Sequence, residues 1–257
     1  MLAKNARILV TNDDGIHAPG LRVLERVARQ LSSDVWVVAP ETEQSGMAHS
    51  LTLHRPLRLH KLGRRRYAVS GTPTDCVLVA VNHLLKDKVP ALVLSGVNRG
   101  ANLGEDITYS GTVAAAMESA LLGLPAIAMS QVREGDKLHW NNAGEFGARI
   151  IRKLMGMEWR RGTLVNVNYP ALPPDRVRGI RVGAQGRRLS MVQVVEADDP
   201  FARKVLWIGD FPSDAPERAS SDLAIIEQGY IAVTPLHVDL THRPLLGHMR
   251  TLFDADS

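Results

Sequence analysis

Cysteine is nearly absent: a single residue, Cys76, in 257. One thiol excludes an intrachain disulfide framework and argues against a cysteine-ligated zinc site. Aromatic residues are scarce at 5%, so the core must be built from aliphatic and alanine side chains. No apolar run approaches the ~20 residues that a membrane span requires. Near the amino terminus, Lys4 and Arg7 precede only three apolar residues before Asn12. That stretch is too short for an export signal, and the expected compartment is the cytoplasm. A Gly-x-Gly-x-x-Gly run is missing from the first strand turn, which argues against a dinucleotide oxidoreductase. Internal repeats and low-complexity segments are also lacking.

Charge is not one-signed. Lys and Arg number 31 against 27 Asp and Glu, a formal net charge of +4. Arg64-Arg65-Arg66, Arg160-Arg161 and Arg187-Arg188 read as solvated turns, so no nucleic-acid polymer is required as a partner. The mildly basic surface still favours phosphorylated substrates through long-range steering.

What is present alternates between strand and helix. Ile8–Thr11 and Val35–Ala39 read as short apolar strands around a helix over Pro19–Leu31, whose Leu21, Leu24, Val27, Ala28 and Leu31 share one face. Leu51–Leu62 and Tyr67–Ser70 read as a hairpin, and Thr72 caps a helix starting at Pro73. A strand at Ala91–Leu94 ends at Ser95-Gly96 and precedes a Gly/Asn-rich loop. A small-residue helix over Thr112–Leu122 and a strand at Ala126–Met129 follow. Fully apolar strands separated by helices predict an α/β protein with a parallel sheet covered on both faces. Later, Asn142–Met155 and Asp222–Gln228 look helical, and Leu164–Val167, Gly179–Val182 and Ile231–Thr234 look like strands. Residues 186–220 show no clear period.

Three segments after strands are richer in small polar residues than turns require. They are Asn12-Asp13-Asp14-Gly15, Glu43-Gln44-Ser45-Gly46, and Ser95-Gly96-Val97-Asn98-Arg99-Gly100-Ala101-Asn102. All three are expected at one edge of the sheet, where open α/β folds bind ligands. Adjacent carboxylates at the end of an apolar strand repel and lose hydration, and a divalent cation offsets both costs. Carboxylate, hydroxyl and amide oxygens suit magnesium, manganese or calcium, and suit zinc or copper poorly. The third loop leads into Tyr109-Ser110-Gly111-Thr112 at the start of the Ala-rich helix. Hydroxyls, backbone N–H groups and the positive helix end there form a phosphate-binding arrangement. The nine histidines form no metal motif. His237, His242 and His248 read as surface or interface residues, His17 as a loop residue, and Cys76 as a packing residue.

These segments, together with Ser70-Gly71-Thr72-Pro73-Thr74-Asp75-Cys76-Val77 and Gly229-Tyr230-Ile231-Ala232-Val233-Thr234-Pro235-Leu236, resemble the SurE family of stationary-phase survival proteins. Those are bacterial and archaeal nucleoside 5'-monophosphate phosphatases, and the resemblance runs from residue 7 to 241. It implies a Rossmann-like three-layer sheet over residues 1–185, with a hairpin near 51–70. It also implies a C-terminal oligomerisation extension over 186–257, or the whole of 1–257 as one domain. The implied activity is a divalent-metal-dependent 5'-nucleotidase that also takes 3'-nucleotides and short polyphosphate. One Mg2+ or Mn2+ per subunit would sit on Asp13, Asp14, Ser45 and Asn98, with Asn102, Ser110, Gly111 and Thr112 at the phosphate. Asp13 and Asp14 would be catalytic, one holding the metal while the other orients or deprotonates water or attacks phosphorus itself. A homodimer or homotetramer exchanging its tails is the implied assembly. A metal-dependent nucleotide sensor without turnover would carry the same ligand set.

Overall fold

A computed structural model describes residues 2–187, 192–209 and 219–254. The chain opens with β1 (Ile8–Thr11), α1 (Pro19–Arg29) and β2 (Val35–Pro40). A hairpin of β3 (Leu59–Gly63) and β4 (Arg66–Val69) follows, then α2 (Pro73–Val79), β5 (Leu92–Arg99), α3 (Gly111–Leu121) and β6 (Ala126–Gln131). Next come α4 (Asn141–Leu154), β7 (Thr163–Tyr169), β8 (Ile180–Val182), β9 (Val194–Asp198) and β10 (Lys204–Ile208). The chain closes with α5 (Asp222–Glu227), β11 (Ile231–His237) and α6 (Arg243–Asp254).

Among the described residues, nine strands form one sheet in the order β3-β4-β2-β1-β5-β6-β7-β11-β8, and β9 pairs with β10 alone. Every pairing from β4 across to β7 is parallel. The β3–β4 and β7–β11 pairs are antiparallel, so the expected parallel sheet is parallel at its centre and mixed at its flanks. The tight turn between Gly63 and Arg66 leaves β3 no other option, because only antiparallel strands can be joined so closely. Leu21 and Leu24 of α1 and Ile151 of α4 pack on one face of the sheet. Cys76 and Val77 of α2 and Val113 and Ala116 of α3 pack on the other, completing three layers. Burial pushes the Cys76 thiol well above its ordinary value, in keeping with a packing role. Thr72 caps α2 as its sequence predicts: its hydroxyl accepts the Asp75 N–H at 3.1 Å, and Asp75 accepts the Thr72 N–H at 2.9 Å.

Three local expectations change. The first hairpin strand starts at Leu59 rather than Leu51. Pro56 offers no N–H for pairing, and the Thr52 N–H is taken by the Asp75 carboxylate at 3.1 Å. The strand expected to stop at Ser95-Gly96 continues to Arg99, with an irregular step between Gly96 and Asn98 against β6. Glycine is required there: Gly96 has φ +128°, and a Cβ would lie 2.2 Å from the Met129 carbonyl oxygen. The aperiodic stretch contains the β9–β10 hairpin, whose Val194, Val195, Leu206, Trp207 and Ile208 are all exposed, so no inside–outside alternation marks it. β11 lies beyond residue 185 in sequence yet sits inside the main sheet, between β7 and β8. Arg188, and residues 189–191, 210–218 and 255–257 of the expected extension, lie outside the described residues. Among the described residues no helix is long and apolar enough to cross a membrane.

α1 crosses β5 at near contact. A Cβ added to Gly20 would fall 1.9 Å from the Val97 carbonyl oxygen, which no side-chain adjustment relieves. Gly20→Ala must therefore lift α1 from the sheet, with an expected loss of about 1–3 kcal/mol or more by overpacking. Chemical denaturation of the variant beside wild type checks this.

Candidate metal and phosphate site

The chain runs from β1 to β2 on one side and later places β5 on the other side of β1. Strand order reverses there, and a crevice opens beyond the carboxyl ends of β1 and β5. β1 releases Asn12 to Gly15 into it, β2 releases Glu43 to Gly46, and β5 carries Asn98 at its own end. The three polar segments do converge on one edge.

Asp13 is buried where β1 meets the first turn of α3. Its carboxylate accepts a hydrogen bond from the Thr112 hydroxyl. A Cβ on Gly111 would lie 2.8 Å from the Asp13 Cβ, so the absent side chain lets α3 approach. The Asp13 carbonyl accepts the Gln44 N–H at 2.8 Å, which hangs the Ser45 loop from β1. Burial raises the Asp13 pKa, the Thr112 hydrogen bonds oppose the rise, and the Glu43 charge adds to it. Burial and then the Asp13 charge push Asp14 up to about 7, while the Arg99 N–H, donating to Asp14 Oδ2 at 3.1 Å, pulls it back.

The other polar residues are held as firmly. The Ser45 hydroxyl donates to Glu43 Oε1 at 2.8 Å, and Asn98 Nδ2 donates to the Gly100 carbonyl at 3.2 Å. The Ser45 loop is also tied to α3 by His49 and Glu118, 2.9 Å apart. Asn102 is buried: its Nδ2 donates to Ser130 Oγ at 2.7 Å, its N–H to Asn168 Oδ1 at 2.9 Å, and its carbonyl accepts from Asn166 and Asn168. Ser110 caps α3, its Oγ accepting the Val113 N–H at 3.1 Å.

A cleft of about 550 Å³ gathers Asp13, Ser45, Asn98, Asn102 and Ser110 on its walls. Asp14, Gly111 and Thr112 do not line it. Asp14 faces an adjoining space of about 340 Å³ together with Glu43, with Arg99 as the shared wall. Gly111 and Thr112 stand behind Asp13, and the Thr112 hydroxyl is spent on that carboxylate. His17 is exposed and lines neither space. Sequence reasoning missed Val132 and Arg133 on the cleft wall, and it placed Arg99 and Tyr109 in its polar segments without giving either a role. It also missed the two asparagines under Asn102. Their signal is Leu164-Val165-Asn166-Val167-Asn168-Tyr169, a buried strand with polar residues at every second position.

The donor set fits a hard divalent cation. Asp13 is buried, Asp14 beside it is partly buried, and burial raises the proton affinity of both, with the Asp13 charge adding to the rise at Asp14; the carboxylate, hydroxyl and amide groups nearby offer oxygen ligands. Among the described residues no three His, Cys, Asp or Glu side chains gather into a metal group, so amide and hydroxyl oxygens must complete the shell.

The fold is an open α/β sheet with adjacent carboxylates, Asp13 and Asp14, at its topological switch point. The model of the family described as "Survival protein SurE" matches residues 8–191. A relative from Rhodospirillum rubrum, named 5'-nucleotidase SurE, is 54% identical over 94% of each chain. A relative of the same name from Paramagnetospirillum magneticum is 52% identical over 96% of this chain and 95% of its own. The crystal structure of the SurE protein from Aquifex aeolicus superposes with a TM-score of 0.83 at 38% identity, covering 96% of this chain and 99% of that one. The chain belongs to the SurE family.

The raised Asp14 pKa has a stability consequence. Its folded value of about 7 lies above the ordinary 3.8, so folding disfavours the charged form. The penalty grows as pH rises from about 4 and is complete above about 7. In metal-stripped protein, Asp14→Asn therefore raises Tm at pH 8, and the gain vanishes toward pH 4. Added Mn2+ reverses the ranking at pH 8 by stabilising wild type more than the variant. Thermal scans across pH, with and without the ion, measure both.

Proposed function

We propose that the protein hydrolyses nucleoside 5'-monophosphates to nucleoside and phosphate, using one divalent cation per subunit, Mg2+ or Mn2+. The observation that carries this reading is the buried Asp13 beside the partly buried Asp14 at the strand switch point, next to a cleft walled by hydroxyl and amide groups. Membership of a family whose curated relatives are named 5'-nucleotidase supports it and makes the chain an enzyme of the phosphomonoesterase class.

In this reading Asp13, Asp14, Ser45 and Asn98 hold the cation, which supplies positive charge against the phosphoryl oxygens and acidifies water. Thr112 fixes the Asp13 carboxylate by hydrogen bonding, and Gly111 keeps the space that this contact needs. Asp14 is oriented beside Asp13 by the Arg99 N–H, which donates to its Oδ2 at 3.1 Å. Asn102, immobilised by Ser130 and Asn168, and Ser110 at the positive end of α3 face the transferring phosphoryl group. The same site accommodates 3'-monophosphates and short polyphosphate, whose reacting phosphates carry the same charge. The enzyme works in the cytoplasm.

Phosphate release from 5'-AMP tests the reading. Metal-stripped protein should be inactive, Mn2+ or Mg2+ should restore turnover, and Asp13→Asn should lower kcat/KM by at least about a hundredfold. Metal binding without release from any mononucleotide would instead identify a nucleotide sensor.

We propose further that residues 186–257 carry the subunit contacts of a homodimer or homotetramer. Trp207 and Ile208 on β10 and Phe253 on α6 expose 64%, 82% and 69% of their surfaces, apolar side chains that a subunit contact would cover. Sedimentation at micromolar concentration should show a species of at least two chains, and a strictly monomeric profile would refute it.

A further inference from the structure

The walls of the cleft are chemically uneven. Around Asp13 they are carboxylate, hydroxyl and amide. Among the residues lining it, Tyr109 is the one aromatic and Val132 the one branched aliphatic side chain. Tyr109 leaves 55% of its surface in water, although its neighbours Ile107 and Ser110 are buried. Its main chain is nonetheless fixed from both sides. The Tyr109 N–H donates to the Asp106 carbonyl at 3.1 Å, and the Tyr109 carbonyl accepts the Ala48 N–H at 3.2 Å. The next residue, Ser110, is the cap of α3. The main chain that carries this aromatic ring is thus fixed in the cleft wall, one residue from the Ser110 cap of α3.

A nucleoside monophosphate has two unlike ends. Its phosphate needs the polar floor, and its base is flat, weakly polar and poorly matched to carboxylates. We propose that Tyr109 is the base-recognition residue of this enzyme, its ring serving as a platform on which the nucleobase stacks while the phosphate reaches Asp13. Stacking of a base on an aromatic side chain is independent of base identity, because every base has a π face. The pinned backbone lowers the ordering cost of the contact. Tyr109 contacts no reacting atom, so its contribution belongs to binding and to discrimination against base-free phosphate esters.

This inference rests on the phosphatase reading, and the experiment separates the two. Mn2+-loaded wild type, Tyr109→Ala and Tyr109→Phe are assayed with 5'-AMP and with ribose 5-phosphate, which keeps the phosphate and sugar and lacks the base. Wild type should prefer 5'-AMP in kcat/KM. Tyr109→Ala should reduce that preference about tenfold or more, through KM for 5'-AMP rather than kcat. Tyr109→Phe should retain it, since the ring remains. An unchanged preference in Tyr109→Ala with both substrates still hydrolysed overturns the platform alone. A loss in Tyr109→Phe as large as in Tyr109→Ala also overturns it, because the hydroxyl would then be the recognising group. Release from neither substrate by wild type overturns the phosphatase reading and the platform with it.

Discussion

The architecture turns on holding two adjacent carboxylates at the end of a fully buried strand. β1 has no exposed residue, and Asp13 follows it into the interior. Solvation is lost and like charges face each other, an arrangement that an ordinary turn would avoid. The surrounding parts compensate locally. The first turn of α3 supplies the Thr112 hydrogen bonds, and the Arg99 N–H supplies one to Asp14. Gly111 lets α3 close in on Asp13, while Gly20 lets α1 approach β5 and Gly96 lets β5 approach β6. The compensation is incomplete: burial still raises the proton affinity of both carboxylates.

Position in the sheet sets this pair apart from other acidic residues among the described ones. β1 is central, so its end is walled by segments following β2 and β5. Each neighbour contributes side chains from a different stretch of sequence: Ser45 from one, Asn98 and Asn102 from the other. The acidic residues of the β9–β10 hairpin also lie close together, yet there they pair with Lys204 in open solvent. Such exposed pairs contribute little, and screening by salt weakens them further.

Much of this was legible in the sequence because it is local. The apolar run Ile8–Val10, the Thr72-Pro73 cap and the amphipathic face of α1 announce themselves within a few residues, and the structure keeps all three. The site's polar segments were legible for a related reason: they interrupt strong strand patterns where a short turn would suffice. What escaped is set by partners far along the chain. Thr112 looks like a helix-end hydroxyl until Asp13, ninety-nine positions earlier, is placed against it. The extension of β5 to Arg99 depends on pairing with β6, and no propensity of Val97 or Asn98 encodes that partner. The β9–β10 hairpin exposes its apolar residues on both sides, so the alternation that identifies a half-buried strand never arises.

Four of the connections among the cleft-forming segments share one property. Gln44 binds Asp13, Ala48 binds Tyr109, Gly100 binds Gln131 and Val132 binds Tyr169, in every case from backbone N–H to backbone carbonyl. Bonds of this kind are indifferent to the side chains that flank them. The outer loops can therefore change much of their amino-acid identity over evolutionary time while the cleft keeps its shape. Sequence drift at Gln44 becomes a route to new substrate preferences that leaves the carboxylate pair undisturbed, whereas the left-handed backbone of Ala48, φ +50°, narrows what can replace it.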